Sequence, residues 1–330
     1  MLSFPQEFLQ EEVREGFTVD ATMKSCWAAQ LEVLREISEV CERHNLQWFC
    51  AYGTLLGAVR HQGFIPWDDD MDIWMLREDY NKFLQVAETE LPKGYVIDGP
   101  LTETGYTEYH TLILNARSLS INPERLKRFH GCPFATGVDI FPLDYLPRNQ
   151  ADRENVLEIM TLMSALVGIA KKEEWEEADV EDIINGRNTI ADILNVEFEE
   201  EIKIENKKKI VSEIYKVANY LAMSYGEEDG DELVMYISYL TNSNKIFHKS
   251  LFSEVIEMPF EMFGVPVPCG YDVILRKQYG DYTVRVQNAA GHEYPLYKKQ
   301  VKALREALEA FEGTVKRYEE LTGKREEETC

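Results

Sequence analysis

Residues 68–72 read DDDMD, four carboxylates in five positions, with FCAYGTLLGAV upstream and IWML directly after. Charge of that density cannot enter a core unpaired, yet the sequence on either side is apolar. In an extended chain, side chains two apart share a face. Asp70 and Asp72 then project together while Met71 and Ile73 face the packing. Two ionised carboxylates about 4 Å apart repel by roughly 4 kcal/mol at an effective dielectric of about 20. A divalent cation offsets that repulsion, and an oxygen-only ligand set suits Mg²⁺ or Mn²⁺.

Three other readings compete. One is a solvated acidic turn leading into the next helix. A calcium loop starting at Asp68 is opposed by Ile73 where glycine is needed and by Asp79 where glutamate is needed. The DxD of a nucleotide-sugar transferase is opposed by the single helix and strand ahead of it.

Periodicity places the motif. Trp27, Leu31, Leu34, Ile37 and Cys41 form one stripe of a helix over about 24–44. QWFCAY (47–52) reads as a buried strand, TLLGAVRH as a short helix and DIWML (72–76) as a second strand. A helix over 77–91 is stopped by Pro92 and Gly94. Strands are expected within 109–121 and within 137–147, the latter broken by Pro142. Helices are expected at about 150–172, 205–224 and 231–240, then strand, turn and helix over 260–282 and a last helix over about 296–320. The order predicts an α+β fold with a mixed sheet and a helical C-terminal half.

With a formal net charge of -24, the chain repels nucleic acid and anionic lipid away from any local basic patch. NKKKI (206–210) reads as the solvated side of a helix, and the acidic stretches near 171–182 and 195–206 as exposed surface. Six scattered cysteines include no CxxC pair, which suits buried thiols in a reducing cytoplasm. The N-terminus lacks the apolar core of a signal peptide, and the longest apolar run, 159–170, is too short to span a bilayer.

A strand ending at Gly53-Thr54, a short helix, then a strand with Asp70-x-Asp72 is the plan of the nucleotidyltransferase fold. YGTLLGAVRHQGFIPWDDDMDIWMLREDYNKF resembles the signature of the LicD family of phosphocholine transferases and fukutin-related proteins. GVDIFPLDYLP (137–147) and FGVPVPCGYDVILRKQYGDY (263–282) resemble its second and third blocks. The sequence departs from the family pattern twice. Asn115 stands where a lysine is common ahead of Arg117, and no Pro-Pro pair follows YGDY, although His292 matches a family histidine.

The resemblance implies transfer of a phospho-substituted alcohol, phosphocholine first among them. The donor would be CDP-linked, such as CDP-choline, and the acceptor a hydroxyl of a cell-surface glycan. Alternatives are a nucleotidyltransferase that keeps the nucleotide on its product, and a relative that binds metal and nucleotide without turnover. Asp70, Asp72 and Asp139 would hold Mg²⁺ (or Mn²⁺) and act in catalysis, with Asp144 the second choice for the third carboxylate. Gly53 and Thr54 would offer amides and a hydroxyl to phosphate. Arg60, His61, Trp67, Arg117 and His292 complete the expected substrate contacts. Trp67 would stack on a base or shield an ammonium. Each has a plainer alternative, a surface salt bridge for Arg60 and a core position for Trp67. The YGDY turn is expected to be structural. The implied division is an extension (1–23), a catalytic domain (24–297) and a C-terminal helix and tail (298–330). Within the catalytic domain the sheet core spans about 45–147, a helical block about 150–245 and a closing segment about 260–297. The expected location is cytoplasmic, peripheral at the inner membrane face where the glycan is lipid-linked, with no integral membrane segment.

Overall fold

The computed structural model describes residues 1–102, 105–236, 239, 245–287 and 294–322. A short hairpin, β1 (Glu12–Arg14) and β2 (Phe17–Val19), leads into helix α1 (Ala21–His44). Asp20 caps α1 by accepting from the Met23 amide, and Asn45 ends it in the left-handed conformation. The next elements build the motif: β3 (Phe49–Cys50), α2 (Tyr52–Arg60), β4 (Asp72–Leu76) and α3 (Arg77–Glu90). After β5 (Val96–Asp98), β6 (Thr111–Leu114) and a short α4 (Pro123–Arg128) comes the long β7 (Gly137–Leu146).

The sheet order is β3-β4-β7-β6-β5, with β4 and β7 parallel and their neighbours antiparallel. With the helices, this is the α+β mixed sheet expected from the element order. β7 is not broken at Pro142. β6 pairs only as far as Ile140, and β8 (Glu232–Val234) joins β7 only from Asp144. Pro142 falls between the two, so its missing N–H costs no ladder bond on that edge. The expected helix over 231–240 is corrected over 232–234, where the chain is this strand, paired in turn with β9 (Ile246–His248).

Helices α5 (Gln150–Ala170), α6 (Glu177–Leu194) and α7 (Lys207–Ala222) enclose a second core around Met160, Met163, Ile183, Ile190, Ile210 and Ile214. The sequence reading missed α6, because its dense acidic run hides the buried stripe of Ile183, Arg187 and Ile190. The hairpin β10 (Val255–Phe260)–β11 (Phe263–Pro268) and helix α8 (Tyr271–Tyr279) return the chain to the first core, and α9 (Lys298–Thr322) ends it. No described helix is long and apolar enough to cross a membrane. Cys26, Cys41, Cys50 and Cys132 are buried thiols.

Candidate active site

The parallel register sets Asp72 of β4 directly beside Asp139 of β7. The two strands enter together, since the Asp139 amide donates to the Met71 carbonyl at 2.9 Å. Met71 and Ile73 are fully buried, as the alternation predicts, and anchor the strand that carries the carboxylates. A cleft of about 390 Å³ opens at this end of the sheet, lined by Gly53, Asp68, Asp70 and Asp72. Its aromatic wall is Tyr52, Trp67, Tyr279 and Tyr282.

Several carboxylates crowd together at this end of the sheet. Burial, followed by the charges of Asp70, Asp139 and Asp68, pushes the Asp72 carboxyl well above the ordinary carboxylate range. Carboxylate oxygens of Asp68, Asp69 and Asp70 all lie within 4.8 Å of one another. Asp69 is committed elsewhere: fully buried, it accepts from the Leu296 amide, and its carbonyl accepts from Gln30. Asp139 Oδ1 is a buried oxygen with no hydrogen bond, and His110 Nε2 lies 3.1 Å away without hydrogen-bond alignment. An orphaned carboxylate oxygen beside a crowded set of anions fits a hard divalent cation.

Asp144 is a different case. Its carboxylate is fully buried and accepts from Arg77 Nε at 2.5 Å and from the Tyr109 hydroxyl at 3.1 Å. Arg77 also donates to Asn219 of α7 at 3.1 Å, joining the sheet to the helical half. Every oxygen of Asp144 is engaged, so of the two expected candidates Asp139 is the one facing the cluster.

Other expected site residues separate by position. Gly53 lines the cleft, and a Cβ there would lie 2.2 Å from Asp68 Oδ2, so any side chain would displace that carboxylate. The preceding Tyr52 takes a positive φ of 39°, a strained conformation for a bulky residue, as the chain turns into α2. Thr54 does not line the cleft. Its buried hydroxyl accepts from the Asp72 amide at 2.9 Å, so it fixes the start of β4 where a phosphate contact was expected. Trp67 is buried on the cleft wall, edge-on to His61 at 6.2 Å.

Arg60 lines the cleft but donates to the carbonyls of Tyr282 at 2.8 Å and Val284 at 3.2 Å, holding the segment after α8. His61 lies on the far side of Arg60, beside Arg14, Glu15 and Arg285, and burial together with Arg60 lowers its pKa. Arg117 is corrected most clearly. It is solvent-exposed, 3.7 Å from Asp98, and lines a separate groove with Leu84, Tyr95 and Met223. β6 ends at Leu114, so the chain has already left the sheet before Arg117. His292 lies outside the described residues.

Two groups at the site were missed. Tyr279, Asp281 and Tyr282 line the cleft itself, where Tyr279, Gly280 and Asp281 were expected to form a structural turn beneath it. Burial and then Asp72 and Asp68 raise the Tyr279 phenol above its usual range. His110 packs against Phe141 in a tilted pair, ring centroids 4.5 Å apart, and approaches Asp139. A lone histidine ahead of an apolar strand carries no signal until the β6–β7 register places it.

With this geometry in hand, comparison with known proteins is specific. A profile described as "LicD/FKTN/FKRP, nucleotidyltransferase domain" matches residues 45–149. About a third of the chain is therefore LicD-like. Among similar relatives, the lipopolysaccharide cholinephosphotransferase LicD of Haemophilus influenzae is 43% identical over 65 residues, 20% of this chain and 24% of that protein. The human ribitol 5-phosphate transferase FKRP is 35% identical over 77 residues, 23% of this chain and 15% of that protein. An uncharacterized protein of Rickettsia typhi is 41% identical over 66 residues, 20% of this chain and 21% of that protein. The match thus spans about a quarter or less of each relative's length. The LicD profile covers β3, α2, β4 and β7, the elements that gather the aspartates.

Proposed function

We propose that this chain transfers a phospho-substituted alcohol, with phosphocholine the preferred group, from a CDP-linked donor to a hydroxyl of a cell-surface glycan. The observation that carries the reading is the register of β4 and β7. It sets Asp139 beside Asp72, which lines an aromatic-walled cleft together with Asp68 and Asp70. The names of two relatives, a cholinephosphotransferase and a ribitol 5-phosphate transferase, support transfer of this class.

Asp70, Asp72 and Asp139 are the residues to hold Mg²⁺ or Mn²⁺, which when bound supplies charge neutralisation for the donor diphosphate and the departing CMP. Thr54 holds the Asp72 backbone in place through its hydroxyl. Gly53 keeps the floor of the cleft open beside Asp68. Asp139 is assigned acceptance of the acceptor hydroxyl's proton as that oxygen bonds to the phosphorus bearing the alcohol and the bond to CMP breaks. Tyr52, Trp67, Tyr279 and Tyr282 give a quaternary ammonium aromatic faces next to carboxylates, which favours choline over an uncharged polyol.

The test is CMP release with Mg²⁺ from CDP-choline, CDP-ethanolamine and CDP-ribitol, with a surface-glycan extract as acceptor, for wild type beside Asp70→Asn. Metal-dependent release from CDP-choline, lost in the variant, is the expected result. Pyrophosphate released from a nucleoside triphosphate would instead identify nucleotidyl transfer. Donor binding without release would identify a relative that has lost turnover.

A further inference from the structure

The closing helix α9 starts docked and then leaves the body. Gln300 exchanges two hydrogen bonds with the Ala135 backbone, at 2.9 and 2.8 Å. Tyr297 stacks on Phe134 at 4.7 Å, and Val301 packs against the first core. Beyond that point the apolar positions face solvent: Leu304 is 40%, Leu308 54% and Phe311 65% exposed. Val301, Leu304, Leu308 and Phe311 are spaced three, four and three apart, and the sequence continues the spacing with Val315 and Tyr318. Alternating steps of three and four make the narrow seam of a coiled coil, not the broad stripe of a helix lying on its own domain.

The flanking charges choose the partner and its direction. With Leu308 and Val315 at the first seam position of successive heptads, Arg305 and Glu312 both follow the second. In an antiparallel pair of identical helices, Leu308 layers against Phe311 of the other copy, and Arg305 then faces Glu312 of the other copy, twice by symmetry. A parallel pair would set Arg305 against Gln300 and Glu312 against Ala307, with no charge match. A membrane surface fits less well, because Glu312 borders the seam and the chain carries a net charge of -24. We infer that α9 is a self-association helix that pairs antiparallel with α9 of a second copy of this chain.

Sedimentation velocity of the full chain over a wide dilution series tests this. Wild type is expected to dimerise reversibly, and Leu308→Glu to stay monomeric with unchanged circular dichroism and thermal midpoint. Arg305→Glu turns both cross-pairs repulsive and weakens the dimer about tenfold, from roughly 0.7 kcal/mol for each exposed pair. The double swap Arg305→Glu with Glu312→Arg restores both pairs and recovers the wild-type affinity. The inference is overturned by a wild type monomeric at every concentration, by a dimer that survives Leu308→Glu, or by a double swap as weak as the single one. Monomers that bind anionic vesicles through α9 would overturn it in favour of a membrane surface.

Discussion

Asp139 and Asp144 lie five residues apart on one strand, and their surroundings are opposites. Asp144 has a guanidinium and a phenol on its two oxygens and no solvent exposure. Asp139 keeps a buried oxygen without a hydrogen bond and faces Asp72 across the ladder. A buried carboxylate whose partners are complete acts as a structural joint, here between the sheet and α7. One that keeps a buried oxygen without a hydrogen bond is open to a ligand that arrives later. Local unsatisfied charge is the physical mark that separates a site from a scaffold.

The contrast can be broken from the scaffold side first. Asp144→Ala leaves Arg77 charged and buried without its anion, and should cost about 3–5 kcal/mol in urea unfolding. Asp139→Asn should leave the unfolding free energy close to wild type while abolishing metal-dependent CMP release. If both variants unfold alike, the distinction between joint and site fails.

Thr54 is where the two roles meet. Thr54→Val orphans the buried Asp72 amide and should cost about 1–3 kcal/mol, with a loss of Mg²⁺ affinity measurable by calorimetry. Serine at the same position should restore both.

Asp72 gives a test with a sign. Its folded-state pKa is raised, so its contribution to stability is fully present below the unfolded carboxylate value. That contribution is lost as pH rises through the raised folded value. Metal-free Asp72→Asn should therefore be more stable than wild type at neutral pH, with the gain vanishing as pH falls toward the ordinary carboxylate range. Added Mg²⁺ should raise the wild-type melting temperature and leave the variant unmoved. A variant less stable than wild type at pH 7 without metal would show that the anion cluster carries no repulsion.

The smallest effect is expected at Arg117. It lines a separate groove, so Arg117→Ala should leave donor KM and transfer rate within about twofold, the range of an exposed ion pair. A large rise in KM would return it to the site.

The sequence by itself determined the parts whose logic is local. Alternation around Asp70 and Asp72 fixed which side chains face the core. The helical stripe of α1, the turn at Gly53 and the α+β order were legible for the same reason, since each depends on residues a few positions apart. Only the tertiary structure decided what depends on register between distant segments. The β4–β7 ladder set Asp139, and not Asp144, beside Asp72, because pairing and not spacing sets which carboxylate meets it. The β6–β7 ladder brought His110 to Asp139, and the end of β6 sent Arg117 to another groove. Thr54 exchanged an expected ligand contact for a backbone one, because the start of β4 lies against its hydroxyl. β8 formed where a helix was expected, since the upper half of β7 offered an open edge whose ladder bonds outweighed local helical preference.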